Sequence, residues 1–155
     1  MDFETLIEKL QQDLCRERGH MHFYLLASST VRGLHREELS ELFADEAKSE
    51  MGHVREFQAL LIGLTTKRNL DFKINTNSIP DVPFDNQCPV ALLKHAVEME
   101  DEVVLNYTQR IEDAIQLQSN GGEDAVDGKW IELFLEGQIE DSRHDADNLR
   151  EMIPN

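Results

Sequence analysis

Two stretches of this chain end in the same way, and their spacing limits the folds open to it. Glu41-Leu42-Phe43 leads to Glu50-x-x-His53, and Glu132-Leu133-Phe134 leads to Asp141-x-x-His144, at an offset of 91 residues. On an α-helix, residues three apart share a face, so each acid and its imidazole can point at one ion. A single acid-x-x-His pair is weak evidence in helices this rich in acid. Two pairs in register behind a repeated apolar lead-in are much stronger and imply a duplicated unit.

A second echo supports the duplication. Leu10, Leu14, Glu17, Met21 and Tyr24 map onto Leu93, Val97, Glu100, Val104 and Tyr107 at an offset of 83. Both sets advance in three- and four-residue steps, the pattern of a helix seam facing a core. The spacing predicts four helices, from about Phe3 to Val31, Arg36 to Ile62, Pro89 to Gln118 and Lys129 to Met152. Gly33, Gly63 and Asn120-Gly121-Gly122 are the expected stops, and Pro89 suits a first turn. The Asn120–Asp127 stretch is expected to be an acidic linker that holds the eight residues by which the offsets differ. Leu64 to Cys88 has no period and contains Asn75, Asn77, Ser78, Pro80 and Pro83. A loop this long needs a reason, and a crossover along the length of a bundle supplies one. The expected fold is all-α: a four-helix bundle of two related hairpins with a long crossover between helices 2 and 3, residues 1–155 forming one domain.

Composition narrows the function. Apolar residues make up 40% and aromatics 6% of the 155 residues, which favours helix packing over a β-sandwich. The formal charge of −16 opposes nucleic acid and anionic membranes, both of which call for a basic surface, and attracts cations. No apolar run approaches a membrane span. The two cysteines, Cys15 and Cys88, fit no zinc or redox spacing and read as free thiols. With no export signal at Met1-Asp2-Phe3-Glu4, the expected location is the cytoplasm.

Glu17 and Glu100 interrupt apolar seams, where an uncompensated carboxylate is costly. Together with Glu50, His53, Asp141 and His144 they make four carboxylates and two imidazoles. Two divalent ions compensate that charge, and oxygen and imidazole donors without thiolate suit iron or manganese. Glu98 and Glu102 are rivals of Glu100, and Glu140 is a rival of Asp141. Gln138 can also approach the site. His20, His22, His35 and His95 have no echo and are expected at the surface or rim. Met51, Met99 and Met152 are read as packing.

The arrangement resembles the ferritin-like di-iron superfamily of ferritins, bacterioferritins and rubrerythrins, from about Leu6 to Leu149. That family places a Glu on two helices and Glu-x-x-His on the other two. Glu17 with Tyr24, and Glu50-x-x-His53, match its first half, while Asp141 stands where the family usually has Glu. The two-histidine pattern is closer to bacterioferritins than to ferritins. No Cys-x-x-Cys pair is present, so the rubredoxin-type module of rubrerythrins is absent. The resemblance implies two iron ions, with manganese as an alternative in one position, held by Glu17, Glu50, His53, Glu100, Asp141 and His144. It implies Fe(II) oxidation by dioxygen or peroxide, in iron storage or detoxification. The alternative is a di-iron oxygenase or peroxidase acting on an organic or peroxide substrate. Tyr24 is the candidate catalytic residue; Tyr24 and Tyr107 are hydrogen-bond donors, radical sites or core aromatics. Only Ile153-Pro154-Asn155 follow the fourth helix, too few for the fifth helix of a ferritin shell. The expected unit is a homodimer through Leu25, Leu26 and Leu60 of the first hairpin, with a larger homo-oligomer as the alternative.

Overall fold

A computed structural model describes residues 1–74 and 85–154. The loop positions Asn75, Asn77, Ser78, Pro80 and Pro83 lie outside the described residues. Four helices form: α1 (Phe3–Thr30), α2 (Arg36–Lys67), α3 (Pro89–Gln118) and α4 (Gly122–Glu151). The Asp2 carboxylate caps α1 by accepting from the Thr5 N–H at 2.8 Å. No described helix is long and apolar enough to cross a membrane.

Helix directions follow from side-chain bonds. Tyr107 of α3 reaches Glu17 of α1, and Tyr24 of α1 reaches Glu100 of α3. Seven residues forward on α1 therefore match seven residues back on α3, so these helices are antiparallel. Gln138 meets Glu56 while Asp141 meets His53, which sets α4 antiparallel to α2. Each hairpin is antiparallel too, so α2 and α3 run the same way and their connection must cross the bundle. Both of its described ends lie on α1. Gln11 Nε2 donates to the Lys73 carbonyl at 3.0 Å, and Thr30 Oγ1 donates to the Asn86 carbonyl at 2.6 Å. Those two anchor points are about 28 Å apart along a helix rising 1.5 Å per residue.

Two boundaries differ from the sequence reading. Helix α2 passes through Gly63 instead of stopping there, because Leu60, Leu61 and Leu64 continue the buried stripe. It ends at Lys67, and Asn69 just beyond, with a φ of 57°, supplies the left-handed residue. The Leu70 N–H then donates to the Thr65 carbonyl at 2.9 Å and the Asn69 N–H to the Thr66 carbonyl at 3.0 Å, a Schellman closure. Helix α4 starts at Gly122, so the expected linker is its first two turns. Glu123 and Asp124 suit the positive end of the helix dipole. Asp127 is fully buried and bound by Lys67 at 2.6 Å and by the Arg68 fork at 2.7 and 3.0 Å. At Gly128 a Cβ would stand 2.7 Å from the Ala114 carbonyl, so α3 and α4 touch backbone to backbone there. A third difference concerns self-association: Leu60 is 4% exposed and belongs to the core, whereas Leu25 is 48% exposed.

The core has two apolar halves. Phe57, Leu61, Leu64, Leu117, Ile131 and Leu135 lead one half, and Phe43, Ala27, Leu92, Ala96 and Leu149 the other. Glu17, Glu50, Glu100 and His53, all buried, occupy the level between them.

Candidate metal centre

Helix α1 contributes Glu17, and α2 contributes Glu50 and His53. One ligand atom from each lies within 4.8 Å of the others, and all three residues are buried. His53 Nδ1 is 3.5 Å from Glu50 Oε2. A second cluster joins Glu46 of α2, Glu100 of α3 and Asp145 of α4, also within 4.8 Å. Glu46 precedes Glu50 by one helical turn, so α2 supplies both clusters.

Two crossed hydrogen bonds fix the seam carboxylates. Tyr107 donates to Glu17 Oε1 at 2.5 Å, and Tyr24 donates to Glu100 Oε1 at 2.9 Å. One is the image of the other under the 83-residue repeat. In each carboxylate one oxygen is occupied and the other is not. Glu17 Oε2, Glu46 Oε2 and Glu100 Oε2 are buried without a hydrogen-bond partner, and Glu50 Oε2, also buried, has no hydrogen bond beyond the 3.5 Å approach of His53 Nδ1. Buried polar atoms rarely stay unpaired, so three unpaired acceptors on these two adjoining clusters, beside the Glu50–His53 pair, fit a cation.

The electrostatics agree. Burial, then the Glu50 charge, pushes Glu17 up to about 8. Burial likewise raises Glu100 to about 8 against the opposing Tyr24 hydrogen bond, and Glu46 to about 7 with help from Asp145. Burial alone would depress His53, but the Glu50, Glu17 and Asp141 carboxylates together lift it to about 10. Without a metal, the pocket therefore favours retained protons on these acids.

Glu17, Glu50 and His53 meet as a group, and Glu100 joins the neighbouring group. The α4 pair is placed differently. Asp141 lies at the rim, with its side chain 60% exposed and Oδ2 3.4 Å from His53 Nε2. His144 is exposed, and its Nε2 lies 3.2 Å from Asn148 Nδ2. The inward face of α4 runs through Ile131, Leu135, Gln138, Ser142, Ala146 and Leu149. These match Leu39, Phe43, Glu46, Glu50, Val54 and Phe57 of α2 at an offset of 92, not 91. One residue is a turn of about 100° on a helix, and it carries Asp141 and His144 off the seam. Ser142 and Asp145 take the places that α2 gives to Glu50 and His53. Glu98, Glu102 and Glu140 are exposed. His20, expected at the rim, is 7% exposed, with Nδ1 unpaired; burial depresses its pKa while Glu17 opposes the shift.

The family model of the ferritin-like domain matches residues 7–154. The chain belongs to this family. Solved structures agree on the ferritin-like fold. A ferritin-like di-iron-carboxylate protein from Bacillus anthracis str. Ames has a TM-score of 0.76 at 22% identity, covering 99% of this chain and 100% of its own. Chlorobium tepidum ferritin has a TM-score of 0.75 at 16% identity, covering 99% and 84%. A dodecameric thioferritin, the bacterioferritin-related protein of Bacteroides fragilis, has a TM-score of 0.62 at 19% identity, covering 98% and 90%. No curated protein sequence matches this ferritin-like chain.

Proposed function

We propose that this ferritin-like chain binds Fe(II) at the joined clusters and oxidises it with dioxygen or peroxide, in iron storage or detoxification. The buried, unpartnered oxygens of Glu17, Glu46 and Glu100 carry this reading. Iron is the substrate here: two Fe(II) supply two electrons to the oxidant. Glu17, Glu50 and His53 would hold one ion and Glu46, Glu100 and Asp145 the other. Glu50 links the two: its charge raises Glu17, and the charge of Glu100 in turn raises Glu50 after burial. The protons kept by Glu17, Glu46 and Glu100 leave as metal enters, so binding acidifies the medium. Tyr24 and Tyr107 aim the remaining oxygens inward. Tyr24 is thereby a positioning residue for Glu100, which is the role its hydrogen bond supports.

The test is aerobic addition of Fe(II) to metal-free protein, followed by ferric absorbance in the near ultraviolet. Wild type should oxidise Fe(II) faster than buffer alone, and Glu50→Gln should lose most of that excess, about tenfold or more. Equal rates for wild type, Glu50→Gln and buffer would remove the oxidase reading.

The same proposal includes a homodimer. Met21, Leu25, Ala47 and Met51 line an apolar groove between α1 and α2, and Leu25 and Met51 are each 48% exposed. Burying that groove against a second copy gives a two-fold interface. Light scattering at low concentration should return twice the chain mass. A monomer mass rejects the pairing, and a much larger mass shows that further interfaces exist.

A further inference from the structure

Helix α4 breaks the symmetry of the bundle. Where the first hairpin provides Glu50 and His53, the second provides Ser142 and Asp145. Ser142 is buried there and adds no charge. The two clusters therefore differ in chemistry: one contains an imidazole, and the other has three carboxylates with neither nitrogen nor sulfur.

We propose that the Glu46–Glu100–Asp145 cluster is a cation position of its own, selective for hard, oxygen-preferring ions such as trivalent metal ions and Mn(II), while Glu17–Glu50–His53 takes borderline divalent ions such as Co(II) and Fe(II). This rests on the reading of the pocket as a metal centre. Glu100 is 0% exposed, its Oε1 is held by Tyr24 at 2.9 Å, and its buried Oε2 has no partner. Glu46 Oε2 is also buried and unpartnered. Two orphaned oxygens thus come from different helices, on residues whose ligand atoms lie within 4.8 Å of one another, and Tyr24 already holds one of the two carboxylates. Three carboxylates carry three negative charges when ionised, which matches a trivalent ion. All-oxygen sets favour hard cations, whereas imidazole shifts preference toward later divalent metals. Access differs as well. Glu46 and Asp145 are half-buried, whereas all three groups of the other cluster are buried. The oxygen-only position is therefore the more open of the two.

The experiment uses the full-length metal-free protein and two probes. Tb(III) prefers oxygen donors, and Tyr24, bonded to Glu100, sensitises its emission at close range; Tyr107 is bonded to Glu17 in the same way, so the variants assign the position and the emission reports occupancy. Co(II) reports the other position through the visible absorption of an imidazole-bound ion. Glu46→Gln and Asp145→Asn preserve shape and remove charge, and melting curves confirm that each variant folds. Both should weaken Tb(III) binding about tenfold or more and retain the Co(II) band. His53→Ala should abolish the Co(II) band and retain Tb(III) emission. Unchanged Tb(III) affinity in both carboxylate variants overturns the proposal. Equal loss of Tb(III) in His53→Ala and Asp145→Asn also overturns it, because it shows one undivided pocket. If wild type gives neither signal, the metal-centre reading itself falls, and the proposal falls with it.

Discussion

Metal-free protein is expected to melt at a lower temperature near pH 8.5 than near pH 6, and saturating Mn(II) or anaerobic Fe(II) is expected to reverse that loss. The direction follows from the buried acids. Burial raises Glu17 and Glu100 to about 8 and Glu46 to about 7. In the unfolded chain they titrate near the ordinary carboxylate value, so the folded state holds protons that the unfolded state has released. Their contribution is complete below the unfolded value and is lost as pH rises through 7 to 8. His53 adds the same sign: raised to about 10, it stabilises fully below its ordinary value of 6.5 and loses that contribution as pH rises toward 10. The acids with lowered values, Asp2, Asp124 and Glu132, titrate below this window and do not offset the trend. A metal ion replaces the retained protons with a charge that does not leave at high pH. One site at a hundred times its dissociation constant adds about 2.7 kcal/mol. For a chain of this size, that is a rise in Tm of roughly 5–10 °C. Scanning calorimetry of metal-free and metal-loaded samples at both pH values measures it. Identical melting temperatures at saturating metal would end the case for a preformed carboxylate cage.

The parts of this site legible in the sequence are those where a polar residue interrupts an apolar seam. Glu17 and Glu100 stand between Leu14 and Met21 and between Val97 and Val104, and their partners Tyr24 and Tyr107 repeat at the same offset. Antiparallel packing of α1 on α3 turns that repeat into two crossed bonds, so sequence symmetry becomes structural symmetry. Helix α4 was harder to read. The repeated Glu-Leu-Phe set a register of 91, yet Leu133 is 54% exposed and Phe134 is only partly buried. The competing signal was the run Ile131, Leu135, Ala146 and Leu149, which passes through Ser142. An acid-x-x-His spelling cannot choose between registers that differ by one residue; the apolar stripe can, because burial fixes the rotation of the helix. Glu46 was detectable as well, one turn before Glu50 on the same face. Boundaries failed for a related reason. Gly63 and the Gly121–Gly128 stretch look like breaks by local propensity, but packing of Leu64 and the buried ion pairs of Asp127 override it.

Replacing His53 by alanine should give the largest loss of metal of any single substitution in this pocket. Glu17, Glu46, Glu50, Glu100 and Asp145 are all carboxylates, so His53 is the one neutral ligand that the two clusters contain. Its ring is 7% exposed and lies between Glu50, 3.5 Å from Nδ1, and Asp141, 3.4 Å from Nε2. Alanine removes the donor and leaves a cavity that a mobile neighbour cannot fill with nitrogen. The affinity for Co(II) should fall by well over tenfold, since even the loss of a group that merely orients a ligand costs 10–100-fold. The metal-free variant should change in a second way. With no imidazolium beside it, Glu50 loses the positive charge that opposes its burial, and its hold on a proton should tighten. The decline of stability between about pH 6.5 and pH 10 that belongs to His53 should then disappear, leaving the carboxylate decline centred near 7 to 8. His144→Ala is the matched control: its ring is exposed beside Asn148, so both metal content and the pH profile should stay close to wild type. Metal analysis after anaerobic loading, with calorimetry across the pH range, reads both effects. Full metal stoichiometry in His53→Ala, or a loss in His144→Ala equal to it, would reject the one-residue rotation of α4 and the site built on it.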